Sequence, residues 1–299
     1  MEKSATFRIP KPERAEQLAR SLGMSAEDRA EMLRFPPRHG TELWDQLEKA
    51  YHSLVEAMGT TGPLPDWPVL PERHGALARY GYVWVFLAAT DVAREYHAAR
   101  GISDEVSWAS LGILADQMRN RRAVYGEGGL HTQNWVTHHF RGAVYPLGRL
   151  HFERRPIWFD AGPPPAPGRG DDALGLHIPE GRLTPASCDE SIRTAQAFFQ
   201  RHYPDHDYRY ATCVSWVLDP QLTEYLAYDT NILAFQRRFT LIPLENPDQD
   251  DNKTIVEFVF RRPLDELDRL PRDTTLQRAI IDHIQAGRRW QFRTGWFRV

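Results

Sequence analysis

The hydrophobic period of this 299-residue chain changes at Arg141. Upstream, apolar residues recur at helical spacing, as in Leu43, Trp44, Leu47, Ala50, Tyr51 and Leu54 within Thr41 to Met58. Trp108, Leu111, Leu114, Ala115 and Met118 do the same within Ser107 to Arg122. Downstream, polar and apolar residues alternate from Leu147 to Phe152, and again from Tyr208 to Leu218. A helical stripe and an alternating strand bury different faces, so the switch predicts two packing units. The expected fold class is α+β: a helical N-terminal domain over 1–140, then a mixed-sheet α/β domain over 141–299.

Further elements follow from local signals. Ala76 to Ala99 and His131 to Phe140 read as helices, with a Pro-rich connector before the first. Arg141 to Phe159 reads as a strand or a strand pair, and the Pro/Gly stretch Ala161 to Asp172 as a loop. Ala173 to Ile178 reads as a short buried strand. Thr184-Pro185 offers a capping hydroxyl followed by proline at the first helical position, which predicts a helix to about His202. Short helices are expected at Pro220 to Tyr225 and Thr230 to Gln236. Strands are expected at Phe239 to Leu244, Thr254 to Phe260 and Arg289 to Val299. A capped helix over Thr274 to Ala286 ends at Gly287.

Composition removes several function classes. A net charge of −3 gives no basic face for nucleic acid or an anionic membrane. No apolar run approaches the length of a membrane span, and the first residues have no apolar leader core. Two cysteines, Cys188 and Cys213, with no C-x-x-C, make neither a disulfide framework nor a zinc knuckle. A cytoplasmic location is the expectation. G-x-S-x-G, the Walker A loop, H-E-x-x-H and G-x-G-x-x-G are all absent.

What remains is a strand, a short turn with glycine and a capped helix over Ala173 to Phe199. The first N–H groups of such a helix lack partners and its dipole is positive there, so the turn can hold a pyrophosphate. Gly181, Arg182, Leu183 and Thr184 would form that cradle, although an ordinary strand-to-helix connection has the same outline.

The phrases YPLGRLHFE (from Tyr145), GLHIPEGRLTPASCD (from Gly175), CVSWVLDPQLTEYL (from Cys213), NILAFQRRF (from Asn231), EFVFRRP (from Glu257) and TTLQRAIIDHIQAGRRWQFRTGW (from Thr274) resemble one family. It is the actinobacterial GNAT-like acyltransferase family with a helical N-terminal domain, similar in layout to the N-acyltransferases of teicoplanin-type glycopeptides. The resemblance implies a GNAT-like C-terminal domain in which the strands ALGLHI and YATCVSWV splay apart around an acyl-thioester arm. It implies acyl-CoA as co-substrate, or an acyl-carrier protein in its place, and a small-molecule amine acceptor. It also implies His177 as general base, since imidazole exchanges protons near neutral pH. Ile178 would lend an N–H to the oxyanion, Ser215 would steer the amine or thiolate, and Arg237 and Arg238 would reach phosphates. The turn P-E-G-R-L-T keeps one glycine where GNAT turns carry two, and the family's frequent tyrosine acid has no clear counterpart.

Other residues compete for these roles. His151 and Glu153 form an alternative base pair, ranked second because strand charges usually face solvent. His138 and His139 could line the acceptor cleft or sit on a helix surface, with the surface favoured, and Trp135, Trp158 and Trp216 are read as walls of an acyl or acceptor pocket or as core. Two other functions fit the same elements: an inactive GNAT-shaped ligand-binding or scaffold protein, and a thioester hydrolase in which His177 activates water.

Overall fold

The computed structural model describes residues 6–64 and 66–299. The chain divides into two compact units, Met1–Tyr145 and Pro146–Val299.

The first unit is helical: α1 (Pro12–Ser21), α2 (Ala26–Arg34), α3 (Glu42–Glu56), α4 (Ala76–Ala99), α5 (Asp104–Leu111), α6 (Ile113–Tyr125) and α7 (Gln133–Phe140). Thr41 caps α3, its hydroxyl accepting from the N–H of Trp44. The stripe read from the sequence, from Leu43 to Leu54, is buried. Apolar all round from Tyr80 to Leu87, α4 runs through the middle of the core and is buried on every side there. The single helix expected over 107–122 is two helices, broken at Gly112, and the first begins at the capping Ser103. A short apolar stripe cannot reveal such a break, because both helices keep the same period. His139 is fully buried and not on the surface, since it lies on the inner face of α7 with Val136 and Phe140.

The second unit is built on a sheet. Its elements are β1 (Val144–Leu147), β2 (Leu150–Pro156), β3 (Asp172–His177), α8 (Pro185–His202), β4 (Tyr210–Ser215), α9 (Asn231–Gln236), β5 (Thr240–Leu241), α10 (Asn252–Phe260), α11 (Thr275–Gln285) and β6 (Arg293–Arg298). The strand order is β1-β2-β3-β4-β6-β5. β3 and β4 run parallel, as the crossover through α8 requires, and β2–β3, β4–β6 and β5–β6 are antiparallel. The sheet is mixed and the α+β architecture holds.

Both capped helices of this unit start where the sequence places them. Thr184 with Ser187, and Thr274 with Gln277, form reciprocal capping boxes. Thr254 to Phe260 is a helix and not a strand. Its β-branched and aromatic residues favour a strand locally, but Asn252, Ile255, Val256 and Phe260 bury one helical face. The strand expected over Phe239 to Leu244 shrinks to two residues at the sheet edge.

Candidate active site

The register of β2, β3 and β4 brings charged side chains to one face of the sheet. His151 lies opposite His177, Glu153 opposite Gly175 and Arg155 opposite Ala173. Opposed residues of an antiparallel pair point the same way, so His151, Glu153, Arg155 and His177 share a face. The other face of β2 and β3 carries the buried Leu150, Phe152, Leu174 and Leu176.

Three groups on this polar face are joined directly. The His177 Nε2 lies 3.0 Å from Glu153 Oε2. Arg155 Nη1 donates to the same oxygen at 3.4 Å, and its guanidinium stacks on Trp158 at 3.6 Å from the ring centre. Glu153 is nearly buried, with 7% of its side chain exposed, whereas His177 keeps 30%. A buried carboxylate between two nitrogen donors is held in place and stays hydrogen-bonded. Gly175 makes room for this arrangement: a Cβ there would meet Arg155 Cδ at 2.8 Å and Glu153 Oε2 at 3.4 Å. Burial, helped by the neighbouring His177 and Arg149, pushes the His151 imidazole down to about 4, so it is neutral where His177 would work.

His177 sits where two parallel strands part. Pairing between β3 and β4 runs from Ala173 with Tyr210 to Leu176 with Cys213, while β3 continues to His177 and β4 to Ser215. Ile178 follows His177 directly and is half-buried. Ser215 is placed differently from His177. Alternation from Cys213 puts it on the opposite face, and its hydroxyl accepts from the N–H of Val217 at 3.1 Å, capping a short 3-10 turn over Trp216–Leu218.

The turn after β3 forms a small cradle. Gly181 adopts a φ of +120°, which favours glycine. Among the described residues, the N–H groups of 180–183 make no hydrogen bond to the protein. Their carbonyl side is gathered by one residue outside the turn. Arg149, in the two-residue link between β1 and β2, donates to Pro179 O at 2.7 Å, Gly181 O at 2.8 Å and Arg182 O at 2.9 Å. Arg182 itself is exposed, Leu183 is buried and Thr184 caps α8. Arg238 reaches this end of α8, bonding Asp189 at 2.5 Å and Pro185 O at 3.4 Å. Arg237 turns instead to Tyr228, donating to its carbonyl at 2.8 Å and stacking on its ring.

Of the residues singled out in sequence, the structure therefore joins His177 to Glu153. It gathers Gly181, Arg182, Leu183, Thr184 and Arg238 around the start of α8. It sets Ser215 and Arg237 apart from these groups. Glu153 is buried in an ion pair and does not face solvent, because the glycine opposite leaves a slot for its side chain. Arg149 carries no sequence signal of this role: an arginine beside a hairpin glycine gives no sign of which distant carbonyls it will meet.

Comparison with known proteins agrees with this layout. Residues 13–142 match the N-acyltransferase N-terminal domain, and residues 144–297 match the GNAT-like C-terminal domain. The comparison with curated proteins gives no match. Among solved structures, the chain is similar to an acyltransferase in complex with decanoyl-CoA and teicoplanin, with 41% identity, a TM-score of 0.88, and coverage of 99% of this chain and 91% of that one. It is similar to the same degree of identity and coverage to a tryptophan-to-alanine acyltransferase variant in complex with octanoyl-CoA, with a TM-score of 0.89. An acyltransferase in complex with CoA and 10C-Teicoplanin matches at 40% identity and a TM-score of 0.88, again over 99% and 91% of the two chains. With both of its units matched in order and its strands, turn and capped helix in the family's arrangement, the chain belongs to the GNAT-like N-acyltransferases.

Proposed function

We propose that this enzyme transfers an acyl group from acyl-CoA to an amine of a small-molecule acceptor, with His177 as general base. The observation that carries the reading is the His177 Nε2–Glu153 Oε2 contact of 3.0 Å, set at the point where β3 and β4 part. Donation of Nε2–H to the carboxylate leaves the lone pair of the neutral ring on Nδ1, the nitrogen that takes the amine proton. As the imidazolium forms, the nearly buried Glu153 balances its charge. The amine nitrogen then bonds to the thioester carbonyl carbon, the C–S bond breaks, and the thiolate leaves and takes up a proton.

Three neighbouring structures bound to decanoyl-CoA, octanoyl-CoA and CoA support the donor, and the unbonded N–H groups of 180–183 suit its diphosphate. Ile178, next to the splay, is the candidate N–H for the oxyanion. The presence of teicoplanin in a complex of a 41% identical neighbour supports an acceptor of that chemical class, an amine on a large glycosylated peptide. The helical domain over 1–140 and the GNAT-like domain over 141–299 are the units assigned to this work, in the cytoplasm.

The test couples thiol release from acyl-CoA to mass analysis of the acceptor, for wild type and His177→Ala. The reading expects amide product in step with free thiol, an absolute need for the amine, and loss of turnover in the variant while acyl-CoA binding persists.

A further inference from the structure

The turn that opens α8 carries one glycine, and a clamp of three hydrogen bonds from the link between β1 and β2 takes the place of the second. We infer that Arg149 is a positioning residue for the donor's diphosphate: it holds the carbonyls of the Pro179–Arg182 turn to one side, so that the N–H groups of 180–183 point together at the anion. This rests on the acyl-CoA reading above.

A turn of four residues has peptide planes that can flip, and each flip exchanges a carbonyl for an N–H on the binding side. Positive φ at Gly181 fixes one plane. The rest are fixed by Arg149, whose Nη2 bonds Pro179 O at 2.7 Å and Gly181 O at 2.8 Å while Nε bonds Arg182 O at 2.9 Å. Arg261 Nη2 adds a restraint on Glu180, whose carboxylate it meets at 3.0 Å. Only a planar guanidinium offers donors spread widely enough to meet three carbonyls at once.

The clamp itself is anchored. Leu150 N donates to Ser191 Oγ at 3.0 Å, and the same hydroxyl donates to Leu147 O, so the link carrying Arg149 is tied to the second turn of α8. Arg149, the turn and the start of α8 are therefore joined in one hydrogen-bonded network. Arg149 spends these donors on the protein and none of them on the ligand, which separates its role from that of an arginine paired with phosphate.

The experiment compares two donors that share an acyl thioester: octanoyl-CoA, and octanoyl-pantetheine, which lacks the diphosphate and nucleotide. KM and kcat are measured for each with wild type, Arg149→Lys and Arg149→Met, with melting temperature as a control on folding. A flipped turn loses its N–H contacts to the diphosphate, so Arg149→Met is expected to raise KM for octanoyl-CoA about tenfold or more. KM for octanoyl-pantetheine and kcat with both donors should stay near wild type. Arg149→Lys keeps the charge but not the fork, and should resemble the Met variant.

Equal losses with both donors would overturn the proposal, because a general packing defect has that signature. So would a Lys variant that matches wild type, since charge would then suffice. If wild type itself does not prefer octanoyl-CoA over octanoyl-pantetheine, the diphosphate site of the donor reading fails, and the role of Arg149 fails with it.

Discussion

Acid should destabilise the helical unit through His97. This residue lies at the end of α4, is fully buried, and is bonded through Nδ1 to Ser107 Oγ at 2.9 Å. Burial, with the nearby charge of Arg94, pushes its imidazole from the ordinary 6.5 down to about 4. A depressed histidine pKa means that the native state binds fewer protons than the unfolded state. Stability is therefore full above pH 6.5, falls as pH drops from 6.5 toward 4, and levels off below that. At about pH 5 the unfolded form is favoured by a factor of about 30 relative to neutral pH, or about 2 kcal/mol, and the full loss is about 3 kcal/mol. Urea unfolding followed by far-UV circular dichroism, at steps from about pH 8 to about pH 4.5, measures this loss. His97→Gln removes the titration while keeping a partner for Ser107, and its stability should decline less with acid than that of wild type, by about 1.4 kcal/mol per pH unit in this window. Parallel pH profiles for the two proteins would refute the reasoning, whatever their absolute stabilities.

Four further outcomes follow from the site and its supports. His177→Ala should lower kcat by about 100-fold or more with little change in acyl-CoA affinity, as steady-state kinetics and calorimetry will read. Glu153→Gln keeps the shape but not the charge facing the imidazolium, and should lower kcat about tenfold with KM unchanged. Gly175→Ala drives a Cβ to 2.8 Å from Arg155 Cδ, and should cost about 1–3 kcal/mol of stability on urea unfolding along with most of the activity. Thr184→Ala removes one half of a capping box and should destabilise the sheet unit by about 1 kcal/mol in the same assay.

Legibility in the sequence followed the range of the forces involved. The start of α8 was readable because Thr184 and Pro185 act within one turn, and its end near His202 likewise. α4 was readable to the residue because its apolar run is long. Thr254 to Phe260 was misread because its local preference for a strand lost to tertiary burial of a helical face, which no window of seven residues reveals. The site was half legible. His177 stood out only through the family resemblance, and its partner Glu153 lies 24 residues away and is a partner only through the β2–β3 register. Alternation of His151 and Glu153 across Phe152 was the available signal, and it was discounted because strand charges usually meet solvent. The clamp from Arg149 was invisible, since backbone carbonyls leave no mark in a sequence.

Acyl transfer from acyl-CoA to an amine is tested most directly by one assay. Octanoyl-CoA is mixed with the enzyme, with and without deacylated teicoplanin as the amine acceptor, and free thiol and acylated acceptor are quantified together. The account predicts thiol and amide in equal amounts, and neither without the acceptor. Thiol and free octanoate released at the same rate without any amine would contradict it and make the protein a thioesterase.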